Sequence, residues 1–510
     1  MHQCLRSVAI PTAMLAVGFV IACFAHSGSE PAEYRQFTDT QGRTIEARVL
    51  DVQGDRVTIQ RSHGERSTVA ISVFSEADQQ YIRSLAAGKA TVEGKAPRSG
   101  KTAPGGKASP GGGGHWARFR GPTGMGVSDA TGLPVEWSDT KNIVWRTALP
   151  GPGASSPIVY GDRVYLTCYT GYFIPGQPGG SLEQLRRHLI AVRLSDGQIL
   201  WDKSVPAKLP EEKTIRDHGY AASTPVADDQ RVYVFFGKTG VFAFDHDGNQ
   251  LWHADVGSKT HGWGSAASPV LYKDLLLVNA SVESESLVAL DCRTGKQVWS
   301  AGGIKESWNT PLVVTAPSGR QELIVAILRN VLAFDPDSGN PLWSCQTDIG
   351  WYMVPSVIAA QGVVYCFGGR SGTAALAVRT GGSGDVTNTH RLWTSRKGTN
   401  VPSPIYLDGH LYWAHENLGI VYCAKAGTGE IVYERRLERA GQIYASPLLA
   451  DGRLYYLTRD GKTFVLAAKP QFELLAVNDL KDRSIFNASP AVAGNRLLLR
   501  SDKYLYCIGE

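Results

Sequence analysis

Charge is scarce in this chain. Asp, Glu, Lys and Arg make up 19% of its 510 residues, below the usual quarter. The shortage of charged helix formers, beside 56 glycines, argues against a helical bundle or a coiled coil. Long apolar runs are missing except at the N-terminus, which excludes a polytopic membrane protein. A basic bias is missing as well. Of the formal net charge of +5, residues 115–510 hold only +2, so no nucleic-acid partner is expected. Cysteine is sparse and scattered. Beyond residue 25 only Cys168, Cys292, Cys345, Cys366, Cys423 and Cys507 occur, none adjacent and none in a CxxC pair. This excludes c-type haem attachment and four-cysteine zinc sites, and it gives no disulfide framework. Cys366, Cys423 and Cys507 each follow Tyr in an apolar, strand-like run and read as small buried hydrophobes. The chain has no GxSxG, no HExxH and no P-loop. His415-Glu416-Asn417 lacks the second His of a zinc motif and reads as a loop.

What is present begins with a secretory signal over residues 1–25, where Arg6 precedes the apolar run from Val8 to Ala25. Val20-Ile21-Ala22-Cys23 resembles a bacterial lipobox, which would cleave before Cys23 and lipidate it. The other readings are an ordinary cut near Ala25 or an uncleaved anchor. The expected location is the periplasm or cell envelope, with possible membrane anchoring through lipid.

Residues 30–85 alternate as short strands at Tyr34–Thr38, Thr44–Val52, Arg56–Gln60 and Ser67–Val73. Ser75 is the expected N-cap of a closing helix. The opening Thr38-Asp39…Gly42-Arg43 and the close Ser75…Asp78…Tyr81 resemble the SLA-homology domain, an SH3-like barrel that binds short Asn-Pro-Phe-type peptides. The resemblance implies a small SH3-like fold and a generic peptide-binding capacity. Residues 86–114 hold nine Gly and three Pro in 29 positions and read as a flexible linker.

From residue 154 onward one unit recurs. A small-residue turn leads to Ser/Thr-Pro, then come three short strands, a Thr/Ser-Gly turn, and a fourth strand that usually carries Trp. The anchors are Pro157, Pro225, Pro269, Pro311, Pro404, Pro447 and Pro490, with Val354-Pro355-Ser356 as a shifted variant. Asp pairs such as Asp245/Asp247 and Asp335/Asp337 open tight turns closed by Gly. Trp201, Trp252, Trp299, Trp343 and Trp393 are large enough to fill the wedge between neighbouring sheets. Eight anchors of four strands predict an all-β, eight-bladed β-propeller over 115–510, preceded by the small barrel. The eighth unit runs out of chain after three strands. Asn142–Thr147, which carries Trp145, is the expected fourth strand and would close the ring.

The A-x-D-x-x-T-G-x-x-x-W repeat resembles that of the PQQ-like propellers, a group that includes quinoprotein alcohol dehydrogenases and BamB. The opening WARFRGPTGMGVSDATGLPVEWS is similar to exported PQQ-like repeat proteins of planctomycete-type bacteria. The quinoprotein side of the resemblance implies bound PQQ between a Trp and an adjacent-cysteine disulfide, with calcium held by Glu and Asn beside an Asp base. Glu306 and Asn309 could mimic two calcium ligands, but no adjacent cysteines and no matching Asp occur.

The segments just before the anchors are the irregular, chemically rich part of the repeat. At this phase they should converge on one mouth of the channel. They supply His218, Tyr220, His261, Trp263, Glu306, Trp308, Asn309, Trp351, Tyr352, Asn400, Tyr444 and Asn487 as candidate ligand-binding residues. The alternative is that the aromatics plug the axis and the Asn residues cap turns. The reading that follows is an exported, non-catalytic, monomeric propeller. It would serve as an interaction scaffold or ligand-binding protein for an envelope protein or peptide, without cofactor. The alternative is a PQQ-dependent oxidoreductase of alcohols or sugars.

Overall fold

The structure, a computed structural model, describes residues 35–41, 43–61, 66–75, 78–79, 81–83 and 115–510. The signal segment, Cys23 and the linker 86–114 lie outside the described residues. The chain divides into two compact units, Met1–Gly106 and Lys107–Glu510.

In the first unit, strands Arg35–Thr38, Thr44–Gln53, Arg56–Arg61 and Arg66–Ala70 form an antiparallel meander. The expected fourth strand ends early, because Ile71–Val73 turn into one 3-10 turn. Phe37, Val57, Ile59, Ile71, Phe74 and Ile82 form the core. Ser75 Oγ accepts the Asp78 N–H at 3.4 Å, as the expected N-cap should. The buried Asp78 carboxylate also accepts from Thr38 N–H and Arg35, both at 2.8 Å, which ties the closing segment to the first strand.

The second unit holds, among the described residues, eight sheets, each with four antiparallel strands, and two of them gain a short fifth strand paired parallel, Gly384–Asp385 and Val127–Ser128. They form a β-propeller. Each sheet is one blade, and the blades span 158–206, 226–254, 270–302, 312–346, 358–395, 405–436, 448–479 and finally 491–508 joined by 143–148. In the eighth blade Ile143–Ala148 pairs antiparallel with Tyr504–Ile508, and Trp145 lies opposite Cys507. The N-terminal strand thus closes the ring at the place the sequence left open.

A second closure sits at the axis. The residue two positions before each innermost strand donates its backbone N–H to the hydroxyl of the equivalent residue in the next blade. The series runs Ser156, Thr224, Ser268, Thr310, Ser356, Ser403, Ser446 and Ser489, then returns to Ser156, with N···O of 2.9–3.1 Å throughout. All eight are buried. Seven precede Pro, which holds them extended. The fifth, Ser356, precedes Val357, so the shifted Pro355 leaves the hydroxyl position intact.

The outer parts of the blades are joined by tryptophan. Trp252 Nε1 donates to the Cys292 carbonyl in the turn of the next blade at 2.9 Å. Trp145, Trp201, Trp299 and Trp393 do the same to Leu194, His246, Pro336 and Ala426 at 2.9–3.1 Å. The turn glycine lies flat under the ring. A Cβ on Gly295, at φ +71°, would sit 2.6 Å from Trp252 Cε3, so both the positive φ and the close approach demand glycine. The Asp of each turn serves the same geometry: Asp245 Oδ1 accepts the N–H groups of Asp247 and Asn249. Trp343 breaks the pattern. Its partner blade has no equivalent turn, and its Nε1 donates instead to the fully buried Glu322 at 2.9 Å. Glu322 also accepts from Arg320 at 2.6 Å and from Gly381 N–H.

Candidate functional site

The hydroxyl ring marks the level at which the channel narrows. On one side of it, segment 116–128 runs across the end of the channel. Trp116 and Ala117 carbonyls accept from Val159 and Ala227 in the first two blades. Arg120 donates to the Pro404 carbonyl at 2.5 Å, the Gly126 carbonyl accepts from Leu449, and Val127–Ser128 pairs parallel with Leu449–Ala450. Phe119, at the middle of this strap, lines the cavity above it. The strap acts as a floor, a role that no repeat or motif in the sequence marks.

On the other side is a cavity of about 180 Å³. The eight ring residues form its base, and each hydroxyl that accepts a backbone N–H keeps its own proton to donate. Of the twelve candidate residues, seven line this space: His218, Trp263, Trp308, Tyr352, Asn400, Tyr444 and Asn487. They arrive from seven pre-anchor segments, one residue each, at the common phase that the repeat predicts.

Aromatic rings form one wall. Trp263 and Trp308 both pack on Tyr352, with ring centroids 5.7 and 5.4 Å apart. Trp308 Nε1 is spent on the Gly264 carbonyl, so this ring offers only its face. Trp263 is 36% exposed and looks into the open part. Beside it, His218 is held below its ordinary pKa by desolvation. The opposite wall is polar. The buried Glu416 carboxylate accepts from Thr399 Oγ1, Asn400 N–H and the Asn417 amide at 3.0–3.3 Å. Asn400 is 2% exposed, and its Oδ1 has no partner. Arg459 stacks over Tyr444 at 4.2 Å and donates to Asn487 and Gln442. The Asn487 amide donates to the Asp217 carbonyl at 2.5 Å.

Five candidates lie elsewhere. Tyr220 is buried among Tyr169, Tyr172 and Phe173 and donates to the Glu212 carbonyl. His261 stands edge-on to Trp308 and accepts the Trp263 N–H, which fixes the turn that presents Trp263. Glu306, at φ +53°, contributes its backbone, the carbonyl accepting from Met353 N–H. Asn309 is fully buried and spends its amide on Ser307 and the Ala326 carbonyl. Trp351 lies under Arg370 at 4.9 Å.

Sequence reading missed Phe119, Asp217, Arg370, Glu416 and Asn417, and it set Glu416 and Asn417 aside as an ordinary loop. A signal existed. Thirteen to fifteen residues after the ring hydroxyl, in the turn between second and third strands, stand Lys238, Glu283, Arg370, Glu416, Arg459 and Asp502. This second repeat phase carries charge on the same side as the mouth.

The PQQ and calcium arrangement does not fit these residues. Among the described residues no pair of cysteines lies at the cavity, since the six cysteines among them are buried and free. Asn309 Oδ1, the atom that would bind calcium, accepts the Ala326 N–H at 3.3 Å, and Glu306 is not among the cavity-lining residues.

A family model described as outer membrane protein assembly factor BamB matches residues 170–343. No curated relative matches the chain. Among solved structures, BamB from Moraxella catarrhalis is similar at a TM-score of 0.52 and 14% identity, over 72% of this chain and 96% of that one. Quinohemoprotein alcohol dehydrogenase from Comamonas testosteroni is similar at 0.56 and 11%, over 77% and 80%. A europium-containing methanol dehydrogenase gives 0.54 and 12%, over 78% and 98%. The class is therefore that of the repeat β-propellers. Within that class, residues 170–343 match the BamB model, and the fold is similar both to BamB and to quinohemoprotein and methanol dehydrogenases.

Proposed function

We propose that this protein is an exported, non-catalytic binding protein of the cell envelope, whose propeller captures a small polar ligand or chain end in the central cavity. The carrying observation is Asn400 Oδ1, a buried acceptor without a partner at a cavity that also offers the exposed ring of Trp263. A buried polar group left unpaired costs about 1–3 kcal/mol, and a ligand donor would relieve it. The similarity to BamB supports a scaffold role alongside capture. Lipidation at Cys23 would hold the protein at a membrane.

The test is a direct one. Protein incubated with PQQ and calcium is examined by absorbance, then assayed for dye reduction with alcohols and sugars. We expect no substrate-dependent turnover. Turnover would replace the binding reading with a quinoprotein oxidoreductase.

A further inference from the structure

The charge balance of the cavity narrows the ligand. This step rests on the binding reading above and deepens it. Glu416, the buried carboxylate, already receives three donors, so it does not call for a cation. Arg459 is engaged by Asn487, Gln442 and the ring of Tyr444, so it does not call for an anion. Arg370 stands exposed at the mouth, over Trp351 and against Tyr352 Oη at 3.3 Å. Inside the cavity, below Arg370, what remains unspent is neutral: the Asn400 acceptor, the ring of serine and threonine hydroxyls, and the Trp263 face.

A stacking face across the cavity from an unspent acceptor, above a floor of hydroxyls, matches a flat apolar ring face with hydroxyl groups around its edge. The space also continues outward. A groove of about 640 Å³ between the fifth and sixth blades shares Arg370, Glu416, Asn417 and Tyr444 with the cavity, so a ligand can extend beyond one ring. We propose that the cavity binds the end of a neutral oligosaccharide, one pyranose ring stacked on Trp263 with a hydroxyl donating to Asn400 Oδ1 and the next residue in the groove.

The experiment uses the full chain on an array of neutral, sulfated and uronic-acid oligosaccharides together with free-ended peptides. Hits are quantified by tryptophan fluorescence and calorimetry. We expect saturable binding to a neutral oligosaccharide, with Kd changing less than twofold between 50 and 500 mM NaCl. Trp263→Ala should weaken it at least tenfold and Asn400→Leu at least fivefold, while Leu251→Ala on the outer rim leaves it unchanged. Binding to no oligosaccharide, binding only to acidic ones, or binding indifferent to both Trp263 and Asn400 overturns the proposal. Peptide binding that depends on Trp263, without sugar binding, overturns the sugar assignment and leaves the binding reading standing. Binding to nothing removes both.

Discussion

The outer rim and the inner mouth of the propeller are built from the same repeat under opposite rules. At the rim one solution recurs: a Trp on the fourth strand, a glycine turn beneath it and a carbonyl to receive its N–H. At the mouth no two blades agree, and the pre-anchor segments carry His, Trp, Tyr, Asn or none of these. Repetition serves closure, where every interface faces the same packing problem. Irregularity serves recognition, where one asymmetric space has two unlike walls. The hydroxyl ring lies at the boundary and belongs to both, identical in geometry yet facing the cavity.

The most severe way to break the comparison is to open the ring. A chain beginning at Pro150 loses Ile143–Thr147, the partner of the last strand, and with it the strap 116–128 under the cavity. An exposed edge strand pairs with other chains. Size-exclusion chromatography and thermal melting should show aggregation or loss of a cooperative transition, whereas a chain beginning near His115 should fold fully. Equal melting of the two would refute the closure argument.

Next in size is a pair of substitutions that should separate the two regions. Trp252→Ala removes an inter-blade ring and is expected to cost about 3–5 kcal/mol of stability while leaving ligand affinity unchanged. Trp263→Ala should cost about 1.4–3 kcal/mol of binding and leave stability within about 0.5 kcal/mol, as for an exposed side chain. Denaturant titration and calorimetry on both proteins read the contrast. A Trp263 variant that loses stability instead would make that residue an axial plug.

Legibility followed the same division. Strand order, ring closure and the placement of Trp between neighbouring sheets could be read because they repeat, and each unit checks the others. Glu322 could not be read as the substitute partner of Trp343, because a buried acid on another strand of the same blade, without an equivalent in the other blades, leaves no periodic trace. At the mouth, phase alone brought seven of twelve candidates to the cavity. Phase does not fix where a side chain points, so Asn309 turned into the backbone and Tyr220 into a neighbouring apolar cluster. Glu416 and Asn417 lie at a different phase, and only their charged equivalents in other blades could have exposed them.

Glu283 sharpens the comparison from within that second phase. It shares the turn position of Glu416 but is 2% exposed and hydrogen-bonded to Ser265. Burial raises its pKa from 4.5 to about 7, with Glu211 pushing in the same direction and Arg187 opposing. Between those values the folded protein holds a proton that the unfolded chain releases. Stability therefore falls as pH rises through this window and stays lowered above it. The full penalty is on the order of 3 kcal/mol. Glu283→Gln should raise the melting temperature at pH 8 and change it little at pH 4.5. Stabilisation that is the same at both values would show that the carboxyl does not titrate there.

The smallest expected effect concerns the thiols, which all lie in the scaffold and none at the mouth. Cys168, Cys292, Cys345, Cys366, Cys423 and Cys507 are buried and unpaired. Burial pushes Cys168 and Cys292 up to about 12 and Cys345, Cys423 and Cys507 up to about 11. Thiolate is the reactive form, and at pH 8 it makes up roughly a thousandth or less of such groups. A disulfide-exchange reagent should therefore leave the folded protein untouched and react fully once guanidinium unfolds it. Added reductant should shift the melting temperature by less than about 1 °C, since a disulfide, where one exists, typically contributes about 2–4 kcal/mol. A larger downward shift would reveal a cross-link between blades, and the rim would then owe part of its closure to covalent chemistry rather than to tryptophan packing alone.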